Sequence, residues 1–205
     1  KETIEAKEAE LFKRYGYAIL KDVKVRIYSK EDHTFHIIGA TGKYYMEKKD
    51  IELFDDIVVL SENMGYELKT NYLRYEEAKS LLWSDQVFEL AGPNPSQPSL
   101  VVTGKGMRAN TNTEELDVLS SVHCRKYDVG TEGIEIDSDR ARVFLDKDEA
   151  LFMDNVTVRQ RDMNIFSDNF LVSFNRESQS IDKAKAYDVV KIVQGDRIAT
   201  CQTAF

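Results

Sequence analysis

A small residue at the head of a strand-like run recurs along this 205-residue chain: Gly39, Thr70, Gly104, Ser138, Ser167 and Thr200, at intervals of 31, 34, 34, 29 and 33 residues. A period of this size constrains the fold more than local propensity does. Each unit is one supersecondary piece that can bury its apolar face only by stacking on its neighbours. In four units an aliphatic residue follows the small one after 17 or 18 positions: Ile57, Val87, Val122 and Val156. A polar residue precedes each of them: Asp56, Gln86, Ser121 and Asn155. Four positions before the aliphatic stands another apolar side chain: Leu53, Trp83, Val118 and Phe152. Ile19, Asp22 and Val23 make a half-unit ahead of the series, and a longer fifth unit has its looser match near Val189 and Val190.

Each unit reads as two strands joined by a polar turn. Lys21 to Tyr28 alternates charged and apolar residues throughout, the pattern of a half-buried strand, and the texture returns at Leu100–Thr103 and Asn155–Arg159. Turns are expected at Glu76–Ser80, Asn110–Thr113, Asp146–Asp148 and Asn175–Ser178, and Gly92–Pro98, which holds all three prolines, is expected to be a loop. The first segment differs. Ile4, Leu11, Phe12 and Tyr15 fall on one helical stripe, with Glu2 and Glu5 at its start, Lys13 and Arg14 at its end, and Gly16 following. That pattern predicts a short amphipathic helix over residues 2–15. At the other end, Asp196–Phe205 matches only the first strand of a sixth unit, which predicts a sheet edge that is either a truncated end or a docking surface.

Composition excludes several functions. A net charge of −8 argues against nucleic acid, whose affinity rests on Lys and Arg neutralising phosphates. Apolar runs such as Ile57–Leu60 are strand-sized, far below the ~20 residues of a membrane-spanning helix. The chain opens on Lys1 rather than Met, so a targeting or anchoring segment is expected to have been removed. Cys124 and Cys201 have no C-x-x-C partner; they read as small buried or half-buried side chains, with a disulfide as the alternative. His33 and His36 are read as solvated in a turn, without the third ligand a zinc site needs. Met107, Met153 and Met163 read as gap-fillers. No nucleophile elbow, phosphate loop or carboxylate pair can be nominated, so neither an enzyme nor a cofactor is expected. A carbohydrate-processing β-solenoid would need carboxylates clustered in one inward register, and the repeats do not supply them.

Several runs in succession resemble the LptC family of lipopolysaccharide transport proteins: Leu20-Lys-Asp-Val-Lys-Val-Arg-Ile-Tyr, Ile38-Gly-Ala-Thr-Gly-Lys-Tyr-Tyr, Leu53-Phe-Asp-Asp-Ile-Val-Val, Tyr66-Glu-Leu-Lys-Thr-Asn-Tyr-Leu-Arg-Tyr, Val102-Thr-Gly-Lys-Gly-Met and Leu119-Ser-Ser-Val. They cover about residues 17–127. From about 131 to 205 the runs Ile136-Asp-Ser-Asp-Arg-Ala, Phe152-Met-Asp-Asn-Val-Thr-Val-Arg-Gln, Phe166-Ser-Asp-Asn-Phe-Leu-Val-Ser-Phe and Gly195-Asp-Arg-Ile-Ala-Thr are similar to the OstA-like repeats of LptA. LptC and LptA are usually separate proteins, and here both kinds of repeat run on in one chain, which leaves open which role it plays.

The resemblance implies an all-β fold, an antiparallel β-jellyroll of two sheets packed as a V, with acyl chains between them. It divides the chain into an N-terminal helix or stalk (1–16), LptC-like repeats (17–130) and LptA/OstA-like repeats (131–205), the last incomplete and continuous with the preceding sheets. It implies a non-enzymatic periplasmic protein that conducts lipopolysaccharide from an inner-membrane ABC transporter complex toward the outer membrane. An N-terminal segment outside this chain would anchor it to the inner membrane. Further jellyroll proteins or other copies of the chain would dock by edge-strand pairing. The alternative is a structural adaptor that couples envelope components through sheet edges without carrying lipid. The inward-facing candidates for lipid contact are Val23, Val25, Ile57, Val59, Trp83, Val87, Val122, Phe152, Val156 and Val158. Core packing and acyl-chain contact use the same side chains, so the residues themselves leave both open.

Overall fold

The computed structural model describes residues 2–28, 34–62, 65–113, 115–127, 133–144, 147–175 and 180–205. These form fourteen strands: β1 (Glu2–Phe12), β2 (Tyr17–Tyr28), β3 (Thr34–Tyr45), β4 (Asp50–Ser61), β5 (Glu67–Glu76), β6 (Leu81–Gly92), β7 (Leu100–Asn110), β8 (Glu115–Lys126), β9 (Ile134–Ser138), β10 (Arg140–Phe144), β11 (Glu149–Gln160), β12 (Met163–Phe174), β13 (Ile181–Gln194) and β14 (Arg197–Ala204). All lie in one antiparallel sheet whose order follows the chain, as nearest-neighbour stacking requires. β9 and β10 share one place in it. β9 pairs with the C-terminal halves of β8 and β11, and β10 with their N-terminal halves.

A line of bulges crosses this sheet at mid-strand. The inward positions Leu53 and Ile57 of β4 are four residues apart, whereas their partners Leu73 and Thr70 of β5 are three apart. The same four-against-three count recurs where Phe152 and Val156 of β11 face Phe170 and Ser167 of β12. One extra residue on one strand of a pair is a β-bulge, which bends the strand and increases its twist. The extra residues at this line adopt the left-handed backbone region: Asp55, Asp56, Ser121, Asp154, Asn155, Asp188 and Val189 have φ between 53° and 64°, or 49° in the case of Asp56. Asp and Asn enter that region more readily than other non-glycine residues. This is why Asp56 and Asn155 stand before Ile57 and Val156; Ser121 takes the same conformation before Val122, and Gln86 of β6 does not.

Residues on both sides of the line bury into one apolar core, from Leu20 and Val25 at one end to Ala186 and Val190 at the other. With a single sheet and no helix of more than three residues among the described segments, that inner face can be covered only by the sheet folding over on itself along the line. The accessible surface of 11955 Å² exceeds the roughly 9,800 Å² expected for a rounded monomer of this mass, as an extended stack should.

The predicted N-terminal helix is absent. Residues 2–12 are instead strand β1, paired with β2 from Glu2↔Ile27 to Phe12↔Tyr17. Only Lys13–Tyr15 turns, as one 3₁₀ turn, and Gly16 closes it at φ 72°. The glycine stop was real but ends a hairpin turn. An isolated helix of this length is marginal in water, whereas the open edge of β2 offers a full ladder of hydrogen bonds. The supposed apolar stripe also fails to bury, since Leu11 and Tyr15 are exposed. The glutamates and lysines suit a charged edge strand, and Lys21 Nζ donates to Glu8 across the pair at 2.8 Å.

Elsewhere the turns fall near their expected places. Glu77–Lys79 form a 3₁₀ turn, Asn110 Oδ1 accepts the backbone N–H groups of Asn112 and Thr113, and residues 93–99 form a loop. Asp146 and residues 176–178, named in two expected turns, lie outside the described residues, as does His33. His36 is in β3 rather than in a turn, half-buried with Nε2 2.9 Å from Glu62 Oε2. Cys124 is buried and Cys201 exposed, and both are free thiols. Burial pushes the Cys124 thiol up to about 12, so it is chemically quiet. Met107 is buried in the core, as a gap-filler should be.

Candidate functional site

The inner side of the bulge line is built from large residues facing small ones. Val23 pairs with Gly39, Ile57 with Thr70, Phe88 with Gly104, Val122 with Ser138 and Val156 with Ser167. The repeat therefore has a physical cause. The large side chain fills the crease, and a small residue opposite lets the folded sheet close over it. Where the small residue carries a hydroxyl, it bonds backbone freed by the bulge. Ser138 Oγ donates to the carbonyl of Arg140 at 2.8 Å, Ser167 Oγ to that of Asn169 at 2.9 Å, and Thr70 Oγ1 to that of Val87 at 3.1 Å.

Seven of the ten nominated residues lie on this inner face with 0–4% of their surface exposed: Val23, Val25, Ile57, Val122, Phe152, Val156 and Val158. Val59 lies there too, half-buried against the core. Trp83 and Val87 do not. Val87 is 66% exposed, and Trp83 points outward, its indole Nε1 donating to Glu76 at 2.9 Å and its ring edge-on to Tyr72 at 5.6 Å. The residues that occupy the inward register of β6 are Ser84 and Phe88. In place of the apolar residue of the other units β6 carries Ser84, so matching by hydrophobicity slides the register by one residue onto Trp83 and Val87. Ser84 has a local reason to be polar. Its Oγ accepts the N–H of Gln86 at 3.1 Å and lies 3.5 Å from Thr70 Oγ1. With Phe88, the small-to-large spacing is 18 residues in all four units. That constancy was the available signal. The inner faces of β3, β5, β7 and β12 were also missed, with Ile37, Leu73, Met107 and Val172 buried there.

The outer face is polar and cross-linked by charge. Arg74 bonds Asp50 at 3.0 Å and Glu52 at 2.7 Å, and Arg142 bonds Asp117 at 2.6 Å. Asp137 joins His123 Nδ1, at 2.6 Å, to Arg159. Burial acts to raise the Asp137 pKa, but the hydrogen bonds and charges of His123 and Arg159 outweigh it, and the carboxyl is held below its usual range. Nothing in these pairs is arranged as nucleophile, base and oxyanion donors. They are cross-strand links on a solvated face.

What the site can do follows from its two faces. One continuous apolar strip, free of charge along the crease, runs the length of the stack, and a charged surface encloses it. The family described as lipopolysaccharide-assembly, LptC-related, matches residues 1–128, and the LptA/(LptD N-terminal domain) lipopolysaccharide transport family matches residues 135–204. The chain belongs to the LptC-related family. As such it is a lipopolysaccharide-transport component, not an enzyme, and its second part continues in LptA-type sequence. Comparison with curated proteins finds no match. Among solved structures it is similar to the crystal structure of LptH, the LptA-homologous periplasmic component of the lipopolysaccharide transport device of Pseudomonas aeruginosa. The identity is 10%, coverage is 98% of this chain and 94% of that one, and the TM-score is 0.29.

Proposed function

We propose that this chain is a periplasmic conduit that carries the acyl chains of lipopolysaccharide along its inner face, between the two halves of the folded sheet, which would open as the V of a β-jellyroll. The observation that supports this reading is the crease itself. Its row of large apolar residues, Val23, Ile57, Phe88, Val122, Val156 and Val190, continues without a charged interruption through both family-matched regions. Each acyl CH₂ buried there is worth ~0.8 kcal/mol, so an acidic protein can hold an anionic lipid by its tails. The adaptor reading retains one supporting observation. The crease residues are packed against each other, so lipid entry requires the halves to separate. A photoreactive residue in place of Phe152 or Val156 separates the two readings. The conduit gives lipopolysaccharide adducts at both and none at outward Val87, and an adaptor gives none anywhere.

Partners in this reading are the inner-membrane transporter, toward the N-terminal end, and further jellyrolls. An inner-membrane anchor ahead of residue 1 rests on the likeness to LptC alone. β14 pairs with β13 on one side only, and its residues from Arg197 to Thr203 are exposed. Such an edge accepts a strand from another chain through main-chain hydrogen bonds. Proline at Ala199 should abolish assembly that uses this edge while leaving the earlier units folded. Light scattering across a concentration series, alone and with an LptA-type partner, is the measurement. Unchanged assembly of Ala199→Pro would remove β14 from the docking surface.

A further inference from the structure

Among the described residues, the C-terminal end of β8 and the end of β11 bring four cations together. Arg125, Lys126, Arg159 and Arg161 line one cleft of about 240 Å³, with Glu135 as its one carboxylate among the lining residues. Lys126 occupies an inward register position, two residues after Cys124 and four after Val122, and it is buried. It pairs across the sheet with Ile134, which also lines the cleft and packs against the apolar core. The cleft therefore lies at the strand ends and opens to the inner face through Lys126 and Ile134, while Arg125 and Arg159 reach it from the outer face, where they pair with Glu135 and Asp137.

The cations are partly committed already. Arg125 Nε is 3.1 Å from Glu135 Oε1, Arg159 is held by Asp137, and Lys126 Nζ donates to the carbonyl of Tyr127 at 3.3 Å. Arg161 is exposed in the β11–β12 turn and makes no ion pair among the described residues. The carboxylate of its neighbour Asp162 receives the Gln194 amide at 3.4 Å. Two of the four cations are thus paired with carboxylates, and these pairs hold the side chains around the cleft.

We infer that this cleft takes a phosphate of the headgroup of the same amphiphile whose acyl chains lie against the inner face. This rests on the conduit reading above. Guanidinium groups present planar, paired donors that match phosphate oxygens, and the lysine ammonium adds a point charge. An anion at the mouth and an apolar strip behind it are together complementary to a phosphorylated lipid, and to neither a free anion nor a neutral lipid.

Lipid A carrying both phosphates, chemically dephosphorylated lipid A and inorganic phosphate are the three probes, titrated against the whole chain. Wild type should bind the phosphorylated lipid about tenfold more tightly than the dephosphorylated one. The double variant Arg125→Gln/Arg161→Gln should lose that preference and keep its affinity for the dephosphorylated lipid. Arg140→Gln/Arg142→Gln changes net charge by the same amount on the other half of the sheet and should keep the preference. Thermal midpoints of both variants verify that they fold. Equal loss in the two double variants would reduce the effect to bulk charge and overturn the site. Equal binding of both lipids by wild type would overturn it while the conduit stands. Binding of inorganic phosphate alone, sensitive to Arg161→Gln but without lipid preference, would reassign the cleft to a free anion. No binding of either lipid would sink the conduit reading and this one with it.

Discussion

The two family-matched regions cross the same crease with different chemistry. In residues 1–128 the small positions are Gly39, Thr70 and Gly104, and in residues 135–204 they are Ser138 and Ser167. The serines bond the carbonyl two residues on, so they tie the bend together as well as making room for it. The glycines only make room, and to different degrees. A Cβ on Gly104 would lie 2.5 Å from Val118 Cγ1, whereas one on Gly39 would meet nothing closer than 3.5 Å. At Asp139, near the start of the second region, the strand breaks outright into β9 and β10. A fold that tolerates glycine, serine, threonine and a break at one line depends there on volume first and on hydrogen bonding second.

The largest effect should come from violating the volume and polarity of the crease itself. Val156→Asp places a carboxylate where Val156 has 1% exposure, opposite Ser167. An unpaired buried charge costs several kcal/mol, against a total stability of about 5–15 kcal/mol, so urea denaturation should show an unfolded or nearly unfolded protein. Val87→Asp, one residue outside the true register, should stay within about 0.5 kcal/mol of wild type. If Val156→Asp stays folded at wild-type stability, the halves do not close on each other in solution, and the crease is open to water.

Next in size is the difference between the two glycines. Gly104→Ala should cost ~1–3 kcal/mol through overpacking against Val118 and Phe88, while Gly39→Ala falls in ordinary van der Waals range of Leu53 and Ile57 and should cost little. Urea midpoints of the two variants check this directly. Equal midpoints would mean that space is not what Gly104 supplies.

Much of this was legible in the chain because the crease repeats. Ile57, Val122 and Val156 were found from spacing alone, and Asp56, Ser121 and Asn155 before them are bulge residues that adopt positive φ. Among the residues nominated for lipid contact the register failed in β6, where Ser84 replaces an apolar side chain because its hydroxyl secures the bend; in β2 it failed at Ile19, since Ala18 and Leu20 are the buried positions. The first strand failed for a different reason. Its Glu- and Lys-rich pattern fits a helix locally, and the competitor that wins, the open edge of β2, is a tertiary opportunity that no window of residues contains. The cationic cleft was invisible in the overall charge, because its four cations come from the ends of β8 and β11, more than thirty residues apart, and the chain as a whole is acidic.

The smallest effect separates hydrogen bonding from volume at the crease. Ser167→Ala keeps the small side chain and deletes the 2.9 Å bond to the Asn169 carbonyl, so it should cost about 1 kcal/mol, the net value of one such bond. Ser167→Gly would not isolate it, because glycine also loosens the backbone. The converse change is sharper. Gly39 has room for a side chain and sits in the register that Ser138 and Ser167 occupy in the second region. Gly39→Ser should therefore place a hydroxyl toward the carbonyl of Thr41 and come out neutral or up to ~1 kcal/mol more stable. Gly39→Ala is the reference, so that the difference between Ser and Ala reports the hydroxyl alone. A stabilising Ser-over-Ala difference at position 39 would make the glycines of the first region and the serines of the second two solutions to one bend. A destabilising one would show that the first region bends differently, with its residue-41 carbonyl already satisfied.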